Sequence, residues 1–184
     1  MLQLSRAVLA IVACLAIGVS NVAAQEVADA PSVPAADAAD VESIDAILTA
    51  VYDVISGPAG EPRDWDRMRS LFVPEAQLIP VQRTRDGRIV HRVLGVEDYV
   101  EGAGEYLETN GFFERERARR TEEFAHIAHA FSTYESFHNA DDSEPFSRGI
   151  NSFQLMRDGS RWWIVSIYWT AENEDYPIPE RYLP

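Results

Sequence analysis

Arg148-Gly149-Ile150-Asn151-Ser152-Phe153-Gln154-Leu155-Met156-Arg157, then Asp158-Gly159, then Ser160-Arg161-Trp162-Trp163-Ile164-Val165-Ser166-Ile167-Tyr168-Trp169 form two β-rich runs joined by Asp-Gly. Such a pair is a strong hairpin signal, because the turn needs positive φ and Gly takes it without strain. A two-residue turn sets Phe153 opposite Ile164, Leu155 opposite Trp162 and Asn151 opposite Ser166 on one face. The other face then carries Arg148, Ile150, Gln154, Trp163, Val165, Ile167 and Trp169. Both faces are largely apolar, which a sheet wetted on one side does not tolerate, so each face needs a cover.

Working outward, the covers and partner strands precede the hairpin. Ile44, Ile47, Leu48, Val51, Val54 and Ile55 recur at helical spacing between Val41 and Ser56, and Gly57-Pro58 ends that helix. Asp64 caps a short helix with Trp65, Met68, Leu71 and Phe72 on one side, stopped by Pro74. Ala76 to Thr84 and Arg88 to Leu94 flank a second Asp-Gly, whose two-residue turn places Gln82 opposite His91. Val96 to Thr109 is helical in period despite Gly102 and Gly104. Phe112 to His138 reads as two strands turning near Ala125-His126, with His126 solvated in the turn. Ala171 to Pro184, with Pro177, Pro179 and Pro184, reads as an extended tail across the surface.

Helices grouped ahead of an antiparallel sheet imply α+β architecture. The stretch Val41 to Trp169 resembles the nuclear transport factor 2-like superfamily, in particular its SnoaL-like and ketosteroid-isomerase-like bacterial members. The residues carrying the resemblance are Trp65 to Phe72 with Pro74-Glu75-Ala76, Ile127 to Glu135, and Arg148-Gly149 through Trp169. The resemblance implies a cone-shaped, curved antiparallel or mixed sheet wrapped around about three helices of the N-terminal half, an open pocket, and a homodimer formed through the outer sheet face. It does not select a reaction, since such a fold hosts many.

Composition bounds the function. Positions 1 to 24 read as a secretory signal peptide: Met1 to Arg6, the apolar run Ala7 to Val19, and the small-residue site Val22-Ala23-Ala24. The run is too short to span a bilayer. Cleavage after Ala24 leaves 160 of the 184 residues, enough for one core. Ile11-Val12-Ala13-Cys14 also resembles a lipoprotein box, but the apolar run continues past Cys14, so anchoring there is not expected. Without the leader the chain has no cysteine, hence no thiol chemistry. Gln25 to Asp40 lacks large hydrophobes and reads as a disordered linker, followed by a domain over 41–170 and the tail over 171–184. The formal charge is −14, which opposes nucleic acid or an anionic membrane as main partner. All basic residues are Arg, which excludes a lysine base or Schiff base.

Candidate chemistry gathers on the strands between Phe112 and Phe137. Residues three apart on a strand point to opposite faces, so His126 and His129 do not make a metal pair, and neither metal nor cofactor is expected. His129 falls opposite Glu122 and beside Phe131 and Arg120. A carboxylate on one imidazole nitrogen would leave the other as a general base, with Tyr134 or Arg148 as polariser. The plainer reading is a satisfied cross-strand histidine. Glu116 opposite Glu135 reads as a shared-proton pair or a solvated rim, and Arg115, Arg117 and Arg119 near Ser132, Tyr134 and Ser136 as an anion clamp or an exposed ladder.

Trp65, His91, Tyr99, Asn151, Tyr168 and Trp169 are the expected pocket walls. No Asp lies within Phe112–Phe137 or Arg148–Arg157, where enzymes of the resembling families place a base. The leading expectation is therefore an exported protein that binds an apolar or aromatic small molecule. Two alternatives stay open: a cofactor-free lyase, isomerase or hydrolase using acid-base chemistry, and a dimeric interaction module.

Overall fold

A computed structural model describes residues 33–184; the leader and the first part of the expected linker lie outside the described residues. Within them, helices α1 (Ala38–Val41), α2 (Ile44–Ile55), α3 (Trp65–Leu71) and α4 (Val96–Asn110) accompany six strands. The strands are β1 (Phe72–Arg83), β2 (Ile89–His91), β3 (Phe113–Phe124), β4 (Ile127–Phe137), β5 (Ser147–Arg157) and β6 (Trp162–Ala171). They form one open sheet in the order β2-β1-β6-β5-β4-β3, antiparallel throughout except for the parallel β1–β6 pair. The expected α+β sheet on three long-period helices is thus present, with one extra helical turn: α1 occupies the end of the stretch read as linker. Asp37 caps α1 by accepting from Ala39 N at 3.0 Å, and Asp40 pairs with Arg67 at 2.8 Å.

Local chemistry explains each helix. Ser43 Oγ accepts from Ala46 N at 3.0 Å to start α2, and Asp64 Oδ1 accepts from Arg67 N at 2.9 Å to start α3. In α4 the Asp98 carboxylate reaches back to Gly95 N at 2.8 Å. Gly104, costly in a helix, lets the Trp65 ring approach: a Cβ there would lie 3.3 Å from Trp65 Cζ2. The buried Arg63 guanidinium donates to Ile55 O, Gly57 O and Leu107 O at 3.2, 2.6 and 3.0 Å. It thereby satisfies carbonyls near the C-terminal ends of α2 and α4, where positive charge is favoured.

The helices pack on the inner face of the sheet, over Ala130, Phe153, Leu155, Ile164, Phe72 and Leu78, each at most 2% exposed. Four departures from the expected pairing set the partners and faces of the other side chains. The β5–β6 turn spans four residues, Asp158 to Arg161, so Leu155 lies opposite Ile164 rather than Trp162. Val165 then bulges, which sets Phe153 opposite Ile167 and Asn151 opposite Trp169, and turns Ile167 and Trp169 inward. The β1–β2 loop is also longer by one residue, so His91 faces Val81 instead of Gln82.

The fourth departure is in β3. Glu122 pairs with His129 and Arg120 with Phe131 as expected, but the register shifts between Glu116 and Ala118. Beyond the bulge Glu116 lies opposite Tyr134, Arg115 opposite Glu135 and Glu114 opposite Ser136. Glu116 and Glu135 are therefore not a pair, and the three arginines separate: Arg119 stays opposite Ser132, with Nε 3.7 Å from Glu116 Oε1, while Arg115 lies opposite Glu135 and Arg117 pairs with it at 3.0 Å. A one-residue insertion reverses every side chain past it, which puts the acids of Glu-Arg-Glu-Arg inside.

The tail forms the outer cover. From Glu172 it runs over the sheet as a strap with a 3₁₀ turn at Glu180–Tyr182. Thr133 Oγ1 donates to Tyr182 O at 2.6 Å, Arg120 Nε to Arg181 O at 3.1 Å, and Phe131 packs on Tyr182 with ring centroids 4.9 Å apart.

Candidate functional site

Two places on the sheet carry polar groups next to open volume. On the inner face, β3, β4, β5 and α2 converge in a continuous hydrogen-bond chain. Ser132 Oγ donates to Glu116 Oε1 at 2.6 Å, Tyr52 Oη to Ser132 Oγ at 2.7 Å, and Asn151 Nδ2 to Tyr52 Oη at 3.1 Å. The Asn151 amide also donates to Glu114 Oε1 at 3.2 Å, and Ser136 Oγ to Glu114 Oε2 at 2.9 Å. Each proton is used once, so the chain has one consistent direction.

Burial pushes the Glu114 carboxyl up to about 7, against the opposing pull of the Ser136 and Asn151 donors. Burial likewise pushes the Tyr52, Tyr99 and Tyr134 phenols well above their ordinary range, helped by the Glu114 charge, so all three stay neutral. The chain borders a crevice of about 320 Å³ between α2 and β3, walled by Thr49, Tyr52, Asp53, Ser56 and Glu114 to Glu116. A carboxyl that titrates near neutrality beside solvent-reached volume can take or give a proton in a bound molecule.

The second place is on the outer face. The strap, β1, β5 and β6 enclose a groove of about 990 Å³. Its floor includes Phe131, Ile150, Ser152 and Tyr168, and its strap side includes Tyr176, Pro177, Ile178 and Tyr182. Tyr168 and Tyr176 are 50% and 71% exposed, which leaves large apolar rings unpacked at its edge. Arg83, Glu172, Asp175 and Arg181 also line it.

The expected catalytic residues do not come together. His129 is half-buried on the outer face, with Nε2 3.0 Å from Ser152 Oγ. Glu122 lies opposite it but is exposed, and the imidazole takes the serine instead. Tyr134 is buried inside, because residues five apart on a strand face opposite ways, and Arg148 pairs with Glu172 at 2.5 Å. Of the expected pocket walls, Tyr168 and Trp169 border the groove. Asn151 belongs to the inner chain, and Tyr99 packs edge-on against Trp169 at 6.4 Å. Trp65 donates to Glu108 at 3.1 Å away from both places, and His91 sits exposed on the edge strand.

Glu114, Tyr52, Ser132 and Ser136 were not legible as a cluster. The one sequence signal was Tyr52, four residues from Leu48 on the apolar stripe of α2. Among the described residues no group of three His, Cys, Asp or Glu is placed to hold a metal ion.

No protein-family model and no curated protein matches the chain. Solved structures do. A cystatin-like protein of unknown function from Nostoc punctiforme is 13% identical, with TM-score 0.54, over 71% of this chain and 90% of that one. An uncharacterised cystatin-like protein from Caulobacter vibrioides is 16% identical, with TM-score 0.53, over 73% and 90%. A protein from Thiobacillus denitrificans, named for the association domain of calcium/calmodulin-dependent protein kinase type II, is 12% identical with TM-score 0.52, over 78% and 99%. At these identities the likeness is one of fold: the chain has the cystatin-like α+β architecture, and the site chemistry has to be read from its own residues.

Proposed function

We propose that the chain is an exported small-molecule-binding protein of the nuclear transport factor 2-like superfamily, from its SnoaL-like and ketosteroid-isomerase-like bacterial branch. Its ligand, apolar or aromatic, lies in the outer groove. The observation that carries this reading is the groove itself: about 990 Å³, floored by Phe131, Ile150 and Tyr168 and roofed by the strap. That volume and that mixture of aromatic walls with a few polar groups suit a small organic molecule. Export rests on the leader pattern and the small-residue site before Gln25.

Native mass spectrometry of protein recovered from its producing cells tests both parts. The expected result is a polypeptide beginning at Gln25 that carries a small mass, lost on denaturation and lost in Ile150→Glu, which places a charge on the groove floor. A polypeptide that retains the leader overturns export, and a mass retained in Ile150→Glu overturns the groove.

A second reading, acid-base catalysis in the inner crevice, is favoured by the Glu114 carboxyl at about 7 beside Asn151 and Ser136. In that case Glu114→Gln lowers turnover by about 10²-fold or more with little change in ligand affinity. The homodimer expected through the outer face competes with the strap for the same surface, and sedimentation of the full chain decides between them.

A further inference from the structure

We propose that the groove takes an amphipathic monocarboxylate, with its aromatic or aliphatic body on the sheet and its carboxylate held by the Arg181 guanidinium. This rests on the groove being the binding site and adds the chemistry of what fills it. The charges around the groove are the ground for it. Glu172 is committed to Arg148 at 2.5 Å and to Ile178 N at 3.1 Å, and Asp175 is paired with Arg83. Both acids lining the groove are thus matched by a cation, and neither is spare for a positively charged ligand.

Arg181 differs. Among the described residues it has no carboxylate within ion-pair distance. Its guanidinium lies 4.8 Å from the Tyr182 ring centre, and both residues line the groove. Stacking on an aromatic ring removes part of the water from a guanidinium while leaving its donor edge free.

The segment that carries Arg181 is also held in place. Two consecutive carbonyls, Arg181 O and Tyr182 O, accept from Arg120 Nε and Thr133 Oγ1 of the sheet beneath. Arg120 itself has no carboxylate within ion-pair distance among the described residues. The apolar floor of Phe131, Ile150 and Tyr168 runs from there along the sheet.

Shape and charge then select the head group. A single planar fork matches the two oxygens of one carboxylate. A chain of net charge −14 repels a dianion more strongly than a monoanion, which disfavours a phosphate monoester.

Calorimetric titration of the full chain with octanoate, octanol and octyltrimethylammonium compares three head groups on one tail. Octanoate is expected to bind about tenfold or more tighter than octanol, the size of one charge-assisted hydrogen bond, with the cation weakest. Arg181→Gln should bring octanoate down to the octanol level and leave octanol unchanged. Equal binding of octanoate and octanol to the parent, or a gap that persists in Arg181→Gln, overturns the carboxylate anchor while the groove stands. No binding of any of the three, together with no small mass retained by the native parent chain, overturns the groove as well.

Discussion

Glu114 concentrates the strongest conflict of forces in the protein, a carboxyl withdrawn from water yet given two donors, Ser136 and Asn151. Its value of about 7 lies above that of an unfolded chain, so the native state holds a proton that the unfolded state has lost between about pH 4.5 and 7. Stability contributed by this group is present below pH 4.5 and is lost as pH rises through 7. Chemical denaturation of the parent should therefore show a loss of roughly 3 kcal/mol across that window that is missing in Glu114→Gln. Parallel pH profiles for the two proteins would contradict the buried, shifted carboxyl. Gly149 poses a purely steric test: a Cβ there would overlap the Thr170 carbonyl oxygen and lie 2.5 Å from Tyr134 Oη. Gly149→Ala should cost about 2 kcal/mol in urea unfolding, since β5 and β6 must move apart to admit it. A cost below a few tenths would mean that this crossing is looser than its geometry.

Among the elements, the strap settles what the outer face does. Thr133 is 1% exposed although it points away from the helices, because Tyr182 and its neighbours cover it. A chain ending at Ala171 should lose about 2–3 kcal/mol, the scale of uncovering one or two large apolar side chains. It should also gain apolar-dye fluorescence and self-associate with rising concentration, as measured by sedimentation. A truncated chain as stable and monomeric as the full one would make the strap an ornament rather than a cover. Element identity was legible in advance, because the 3.6-residue stripe of Ile44 to Ile55 and the Asp-Gly turns are local signals. Register was not: Asp158 to Arg161 made a four-residue turn and Val165 and Arg117 introduced bulges. The Glu-Arg-Glu-Arg run is nearly symmetric to an inward or outward reading, since either phase places charges on both faces.

At the scale of the molecule, 30 acidic against 16 basic residues make self-repulsion a general load on the fold. Thermal midpoint should rise by a few degrees as salt is added to low-ionic-strength buffer and then level off within the first few tenths molar. A midpoint that falls from the first addition would mean that the ion pairs, such as Arg67 with Asp40 and Arg69 with Glu97, outweigh the repulsion. What the amino-acid order determined by itself was the α+β class, the existence of both apolar hairpin faces and their demand for two covers. These follow from periodicity and turn chemistry, which act over a few residues. Which residues line each site was decided only by the tertiary structure. The two bulges choose the face on which Glu114, Glu116, Ile167 and Trp169 lie, and the long turn chooses their cross-strand neighbours. Their positions reflect strand twist and packing against α2 and α4, forces that no local stretch of sequence contains.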